Sequence, residues 1–447
     1  MSTQDQAEGR TYLSIRQAAF IGVGSMVGAG IFALLGAAGE VAGAAVWVSF
    51  LIAGAVALLQ GYSFAKLGAR YPTAGGLLEY VSKGFGDGHL TGITAWLTYL
   101  ANAVVTAMVA VSFGDYASAA FTDENASWSK AFAVLIILLM TAVNVVGSTL
   151  VARAQTVIVY IVLSILVVFA VVTIVDMDPS LLAPSGYPPL RDIVSSVALT
   201  FFAFLGFGII TFTAKDLKRP SYQLPRAMFL ALGIATTIYV AIALGVFGAL
   251  PADEVVDAGA TALAVAAQPS LGDFGYTLMT ITGLFATAGA TNAGLYPAAG
   301  LSERLVDTGQ FPPPMGRRLG GRLPMRLLVQ AAVCLALVLL FRLSAIASIG
   351  SAVALMIFTL VTVAHLRVRR DTGANTVLLV CAIAAAGIVL VTFIFTDLSH
   401  EPASIAAILG IVAVSAGIDL WWKRRRGELR RAPDIGTPTT DHLQREG

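Results

Sequence analysis

"GVGSMVGAGIF", Gly22–Phe32, places four glycines in the first nine residues of a segment apolar enough to cross a membrane. A glycine inside a helix costs roughly 0.5–1 kcal/mol relative to alanine. Two readings follow. Gly24 and Gly28 form a GxxxG pair, which lets two membrane helices approach closely. Alternatively, the helix is interrupted here and its freed backbone groups face a cavity.

A second stretch decides between them. "FFAFLGFGII", Phe201–Ile210, carries Gly206-Phe207-Gly208 before two apolar residues, as Gly28-Ala29-Gly30 precedes Ile31-Phe32. The offset is 206 − 28 = 178 residues, and the spans starting near 91 and 271 are separated by almost as much. Glycine-interrupted spans at corresponding positions of two halves mark the binding site of a secondary transporter.

Composition frames this reading. Of 447 residues, 57% are hydrophobic and 12% charged, with a mean hydropathy of +0.82. Soluble domains carry about 25% charged residues, so the chain is expected to be an all-α membrane protein. The short dyad repeats of a membrane barrel are missing. No Walker loop, HExxH, CxxC or nucleophile elbow lies between the spans, so no soluble catalytic domain, enzyme activity, cofactor, metal centre or nucleic-acid binding is expected. The net charge of +2 carries little information. Cys334 and Cys381 fall in apolar spans and are expected to pack there as small hydrophobes rather than pair. The polar first ten residues, followed by an apolar segment too long for a signal core, argue against a cleaved leader.

Twelve spans can be drawn, at 15–39, 43–68, 91–121, 130–149, 154–176, 190–217, 225–249, 271–305, 325–343, 345–367, 375–396 and 402–422. Lys and Arg set their orientation. With the N-terminus inside, Arg16, Lys66, Arg70, Lys83, Arg153, Lys218, Arg219, Arg226, Arg317, Arg318, Arg369, Arg370 and the "KRRRGELRR" tail are cytoplasmic, and only Lys130, Arg191 and Arg342 fall outside. The opposite loops hold Asp123, Glu124, Asp176, Asp253, Asp257, Asp397 and Glu401. Spans 1–5 (15–176) and 6–10 (190–367) then read as two copies of one unit. Five spans per copy force opposite orientations, giving a five-plus-five inverted repeat with broken helices 1 and 6. Residues 1–14 form a cytoplasmic N-terminus, 375–422 two further spans and 423–447 a basic, polar cytoplasmic tail. The setting is a cell (inner) membrane, crossed many times with both termini cytoplasmic.

A broken helix offers particular chemistry. The half-helix after a break presents unpaired N–H groups and a positive dipole end, which suit an anion. The half-helix before it ends in free carbonyls, which suit an ammonium or a metal ion. Both together fit the α-carboxylate and α-amino group of an amino acid.

These motifs resemble a known family. "GSMVGAGIF", "ARYPTAGGLLEYV" at Ala69–Val81, "FFAFLGFGIITFTAKDLKRPSYQLPRA" at Phe201–Ala227 and "LFATAGATNAGLYPAAGLSERLVDTGQFPP" at Leu284–Pro313 are similar to those of the amino acid–polyamine–organocation permeases. The resemblance covers residues 12–425 and implies alternating access around a midplane site. It places carboxylate-binding amides at Gly28, Ala29 and Gly30, and ammonium-binding carbonyls at Met26, Phe202 and Leu205, beside Gly206. Phe202 falls where the family often carries an aromatic that closes over the substrate. Thr98, Tyr99, Asn102 and Thr106 have the helical spacing of a side-chain pocket, or equally of inter-helix hydrogen bonding. Gly208 stands where some relatives that carry cations have an acid, which favours a neutral substrate.

Coupling departs from the family pattern. A lysine common in the fifth span is replaced by Ile161 or Val162. A sodium site would need the Gly24 and Val27 carbonyls with Thr287 and Thr291, which are more often bonded to their own helix. Glu79, Lys215 and His365 are the candidates for a gate or a proton route. The expected partners are thus a small amino acid, the lipid bilayer and a coupling proton or sodium ion, and oligomeric state is not legible. The leading reading is a secondary active transporter, permease or exchanger. Against it stand a cationic amino acid, polyamine or inorganic cation carrier on the same fold, and a transporter-like receptor without turnover.

Orientation yields a direct test. In a chain freed of its own cysteines, a cysteine at Asp257 or Glu401 should react with an impermeant thiol reagent applied to intact cells. One at Arg219 or Arg369 should not, and the reverse pattern would invert the topology.

Overall fold

The computed structural model describes residues 12–27, 30–72, 76–122, 125–146, 149–295, 310–319 and 323–431. The first span is two helices. α1 (Ile15–Val27) stops after 13 residues, Gly30 lies in a turn, and α2 (Ile31–Ala42) starts anew. Gly28 and Ala29 lie outside the described residues. The sixth span is interrupted as well. After α3 (Val46–Arg70), α4 (Leu77–Phe85), α5 (His89–Phe121), α6 (Ala126–Val146) and α7 (Thr149–Val175), α8 (Leu190–Phe202) gives way to a turn at Ala203–Phe204 and a 3-10 stretch, Leu205–Asp216. A 3-10 run of 12 residues is unusual, since its eclipsed side chains and poorer hydrogen bonds normally limit it to three or four.

The two interrupted spans lie against each other. The Leu13 N–H donates to the Asp216 carbonyl at 2.9 Å. A Cβ on Gly22 would run into the Ile210 side chain, and one on Gly206 would come within 2.6 Å of the Ser25 carbonyl carbon and 2.7 Å of the Met26 nitrogen. A Cβ on Gly30 would strike Ala203, 2.5 Å from its Cα. Residue numbers rise along one run as they fall along the other, so the two spans run antiparallel. Their backbones touch where a side chain would hold them apart. Packing and interruption are therefore not alternatives, because the glycines that break these helices also let them meet.

The remaining helices form the scaffold: α9 (Pro220–Ala249), α10 (Ala252–Ala258), α11 (Ala262–Leu295), α12 (Met325–Leu340), α13 (Leu343–Arg367), the single turn α14 (Arg369–Thr372), α15 (Thr376–Thr396) and α16 (Pro402–Arg431). α3 lies along α9, α5 against α11 and α6, and α7 on α9. Large apolar side chains such as Leu138, Val168, Val171, Ile388 and Val391 are exposed on the outside of the bundle, as lipid-facing surfaces require. Gly272 has φ +61° and separates the Ala262–Leu271 part of α11 from the remainder, so the long apolar part begins just past Gly272, close to the expected 271.

Some expectations change. Among the described residues, nine helical runs are long and apolar enough to cross a membrane, one of them the joined α2–α3 run Ile31–Arg70. α1 is short because its span is broken, and the 16 residues of α12 rise ~24 Å, less than the ~30 Å hydrocarbon core. Cys334 is buried as expected, but Cys381 is exposed on the bundle's outer face; both are free. The last helix runs on to Arg431, past the expected 422. It is fastened by Asp419, whose buried carboxylate meets His89 Nδ1 at 2.7 Å and Lys423 Nζ at 2.8 Å. At the other end of the bundle, Ser195 of α8 donates to Asp397, just past α15. Burial pushes the Asp397 carboxyl up against the pull of that bond, and Asp192, Glu401 and Glu40 push it further.

The close approach predicts opposite behaviour for two neighbouring glycines. Gly206→Val should cost about 1–3 kcal/mol or prevent assembly, because its new methyls meet the α1 backbone. Gly208→Ala, with nothing within 4 Å of the added atom, should leave thermal stability of the purified protein near wild type. Equal tolerance would remove the contact from the account.

Candidate functional site

The turn in the sixth span is built by short-range backbone bonds. The Ala203 N–H donates to Thr200 (3.2 Å), Phe204 to Phe201 (2.9 Å) and Phe207 to Phe204 (3.0 Å). The Ala203 carbonyl accepts the Tyr239 hydroxyl of α9 at 3.1 Å. This tyrosine is fully buried and was missed in the sequence, where it is one aromatic within an apolar run. Aromatic rings clamp both sides of the turn. Phe64 stacks on Phe358 at 5.0 Å, Phe207 lies edge-on to both at 5.4 and 5.2 Å, and Phe201 meets Phe358 at 5.9 Å. Each such pair adds roughly 0.5–1.5 kcal/mol beyond its buried area. The second break is therefore a rigid feature.

In the first span the Met26 carbonyl accepts the Gly30 N–H at 3.2 Å, so one lone pair is used across the interruption. Phe202 is buried beside α13: a Cβ on Gly350 would lie 2.9 Å from its Cζ and 3.0 Å from Val104 Cγ1. Leu205, Gly206 and Gly208 are half-buried, and Gly208 adjoins open space. Met26, Gly30, Phe202, Leu205, Gly206 and Gly208 are thus carried on the two antiparallel runs.

The α5 residues behave differently. Tyr99 is buried, donates to the Arg326 carbonyl at 2.6 Å, and packs with Trp96 and Phe311 in a separate aromatic cluster. Asn102 Nδ2 donates to the Gly294 carbonyl of α11 at 2.7 Å, which Gln330 Nε2 also reaches at 3.1 Å. Thr98 and Thr106 donate to their own helix, at Thr94 and Asn102. Tyr99 and Asn102 thus bond across helix boundaries, while Thr98 and Thr106 bond within α5.

The candidate ion ligands follow the same rule. Thr287 donates to Gly283 at 2.6 Å and Thr291 to Thr287 at 2.8 Å, both within α11. Gly24 packs on Val159 of α7, and Val27 is buried as the last residue of α1. Beside Thr291, Asn292 accepts from Asn144 of α6 at 2.8 Å, a cross-helix pair that the sequence did not reveal.

The ionisable candidates are spread apart. Glu79 lies 3.6 Å from Lys83 on α4, and the Lys215 side chain lies outside the described residues. His365 is completely buried, with Nδ1 2.8 Å from Ser63 Oγ and Nε2 2.8 Å from Thr372 Oγ1. Because Thr372 gives its proton to the Arg369 carbonyl, it accepts from Nε2–H. The neutral ring then accepts the Ser63 hydroxyl at Nδ1. One turn away, Gln60 accepts from Thr362 and donates to Ala382 at 3.1 Å, so α3, α13 and α15 share one buried polar seam.

The family model described as amino acid permease matches residues 13–414, and the chain belongs to that family. It is a multi-pass membrane transporter. It is 31% identical over 429 residues to the inner membrane transport protein YbaT of Escherichia coli strain K12, covering 95% of this chain and 100% of that one. The branched-chain amino acid permease BcaP of Bacillus subtilis is 24% identical over 248 residues, covering 52% of this chain and 53% of its own. Among solved structures, the Eremococcus coleocola manganese transporter has a TM-score of 0.57 at 14% identity, covering 92% of this chain and 95% of its own. At that identity the likeness speaks for the fold alone.

The Tyr239 hydroxyl braces the turn, and its removal is a direct test. Tyr239→Phe removes the bond to Ala203 while keeping the ring's contacts with Phe50 and Phe204. It should cost about 0.5–1.5 kcal/mol in thermal unfolding and weaken ligand binding by loosening the turn. Unchanged stability and binding would show that the turn needs no brace.

Proposed function

We propose that this chain is a secondary transporter for a small neutral amino acid, working by alternating access around the two broken spans. The observation that carries this reading is the antiparallel contact of the breaks beside open space at Gly208. At the 178-residue offset, Ser25 corresponds to Ala203, since 203 − 25 = 178, and each touches a glycine of the other break. Two equivalent segments lying antiparallel support the inverted five-plus-five repeat, with twelve spans and both termini inside.

In this reading Gly28, Ala29 and Gly30 hold the carboxylate with backbone amides, and the carbonyls of Met26, Phe202 and Leu205 hold the ammonium. Neutral substrates are favoured because the breaks bring glycine, alanine, leucine and phenylalanine together. A charged side chain there would be desolvated without a partner. Proton coupling carried elsewhere or exchange ranks ahead of sodium in this reading, although Thr287 and Thr291, which donate within α11, keep oxygen lone pairs that a cation could use. His365 is a proton candidate because one rotation of the Ser63 hydroxyl would let Nδ1 carry a proton.

Ligand-dependent melting of the purified protein tests the substrate class. Neutral amino acids should raise the melting temperature, while their decarboxylated amines, arginine and polyamines should not. A largest shift with arginine or a polyamine would move the protein to the cationic branch of the family.

A further inference from the structure

A cavity of about 350 Å³ opens at the end of the bundle where α2 finishes. That volume lies within the ~300–1,000 Å³ of small-molecule sites. Its walls come from four separate elements: Glu40 on α2, Asp115 and Ser118 on α5, Asp257 on α10 and Arg342 at the start of α13. Glu40, Asp257 and Arg342 are exposed on the rim, while Asp115 is half-buried deeper in and accepts the Ser129 hydroxyl. Among the described residues, Glu40, Asp257 and Arg342 enter no ion pair.

The cavity stands directly over the first break. Gly36 lines it and lies six residues past Gly30, ~9 Å along α2. A Cβ on Gly36 would come within 2.5 Å of the Gly259 carbonyl oxygen, so the turn after α10 is pressed onto α2 at the cavity wall. On α5, flanking Asp115, two hydroxyls are fully buried without a hydrogen-bond partner: Ser112 and Tyr116. The Tyr116 ring meets Phe32, second residue of α2, edge-on at 5.9 Å. An unpaired buried hydroxyl costs about 1–3 kcal/mol, and two on adjacent turns call for an explanation. Polar groups therefore continue along α5 from the cavity wall toward the start of α2.

Carboxylates alone at a membrane boundary would be an ordinary solvated face. Here a guanidinium faces the same cavity without pairing with Glu40 or Asp257 among the described residues, and the floor leads toward the breaks. We propose that this cavity is a second, outer binding site for a zwitterionic amino acid. Asp115 and the rim carboxylates take the ammonium and Arg342 takes the carboxylate. Ser112 and Tyr116 offer hydroxyls to a ligand moving between this site and the breaks. The proposal rests on the neutral amino acid reading above for its ligand.

Stoichiometry separates the two. A radiolabelled neutral amino acid, titrated against the full chain in lipid nanodiscs, should bind at two molecules per chain. Arg342→Gln, an exposed change that disturbs no packing, should weaken the second binding event about fivefold while the first stays in place. Asp115→Asn should do the same, and matched melting curves would show that it folds. One molecule per chain in the wild type, or two unchanged in Arg342→Gln, would overturn the outer site and leave the transporter reading standing. No binding of any neutral amino acid would overturn the substrate reading and this proposal with it.

Discussion

The structure depends on the contact of two broken spans through their glycines. Gly206 on Ser25–Met26 and Gly30 on Ala203 bring two backbones closer than any side chain permits. In lipid this contact matters more than it would in water, because apolar burial gives little preference between lipid and protein and close packing has to drive association. The same residues that weaken each helix thus create the interface between them. α9 then fixes the arrangement with the Tyr239 bond to Ala203, and the Phe64–Phe358 stack holds Phe207 beside it.

Around that contact, membrane burial governs the polar side chains. A hydroxyl or amide in a span must find a partner, and most find it on their own helix or across one helix boundary. Thr98, Thr106, Thr287 and Thr291 bond backward, while Asn102, Asn144, Gln60 and His365 join neighbouring helices. Ser112 and Tyr116 depart from this rule, and they flank the cavity-lining Asp115 on α5.

How much of this was legible follows from what periodicity encodes. Apolar length revealed an all-helical bundle, with nine spanning runs among the described residues against twelve drawn, and the repeated glycine pairs revealed both breaks, because composition and spacing are local properties. The length of the 3-10 stretch was not legible, since past Gly208 the largely apolar run Ile209–Phe212 reads like an ordinary span. The α5 pocket residues show the limit more sharply. Helical spacing places Thr98, Asn102 and Thr106 on one face, but what that face meets depends on how α5 is rotated against α11. Asn102 and Gly294 are 192 residues apart in sequence. Tyr99 meets Phe311 and the Arg326 carbonyl, both contributed from beyond residue 310.

The distribution of charge gives the two proposed sites different tasks. An ionised side chain at the bilayer centre costs at least about 2.5–3.5 kcal/mol, so a mid-membrane site that must recognise charge does so at least expense with backbone dipoles. Such dipoles are fixed in place by the helix ends and need no solvated counter-charge. Asp257, Glu40 and Arg342, by contrast, lie at the bundle's end, where water solvates them between ligands. Full charges there attract a zwitterion at longer range and hold it loosely, because exposed pairs are screened. Loose holding at the rim and dipole recognition at the breaks are both compatible with release, which a carrier needs as much as binding. A carboxylate placed at Gly208 would tighten the inner site for a cation, and the same attraction would slow its release.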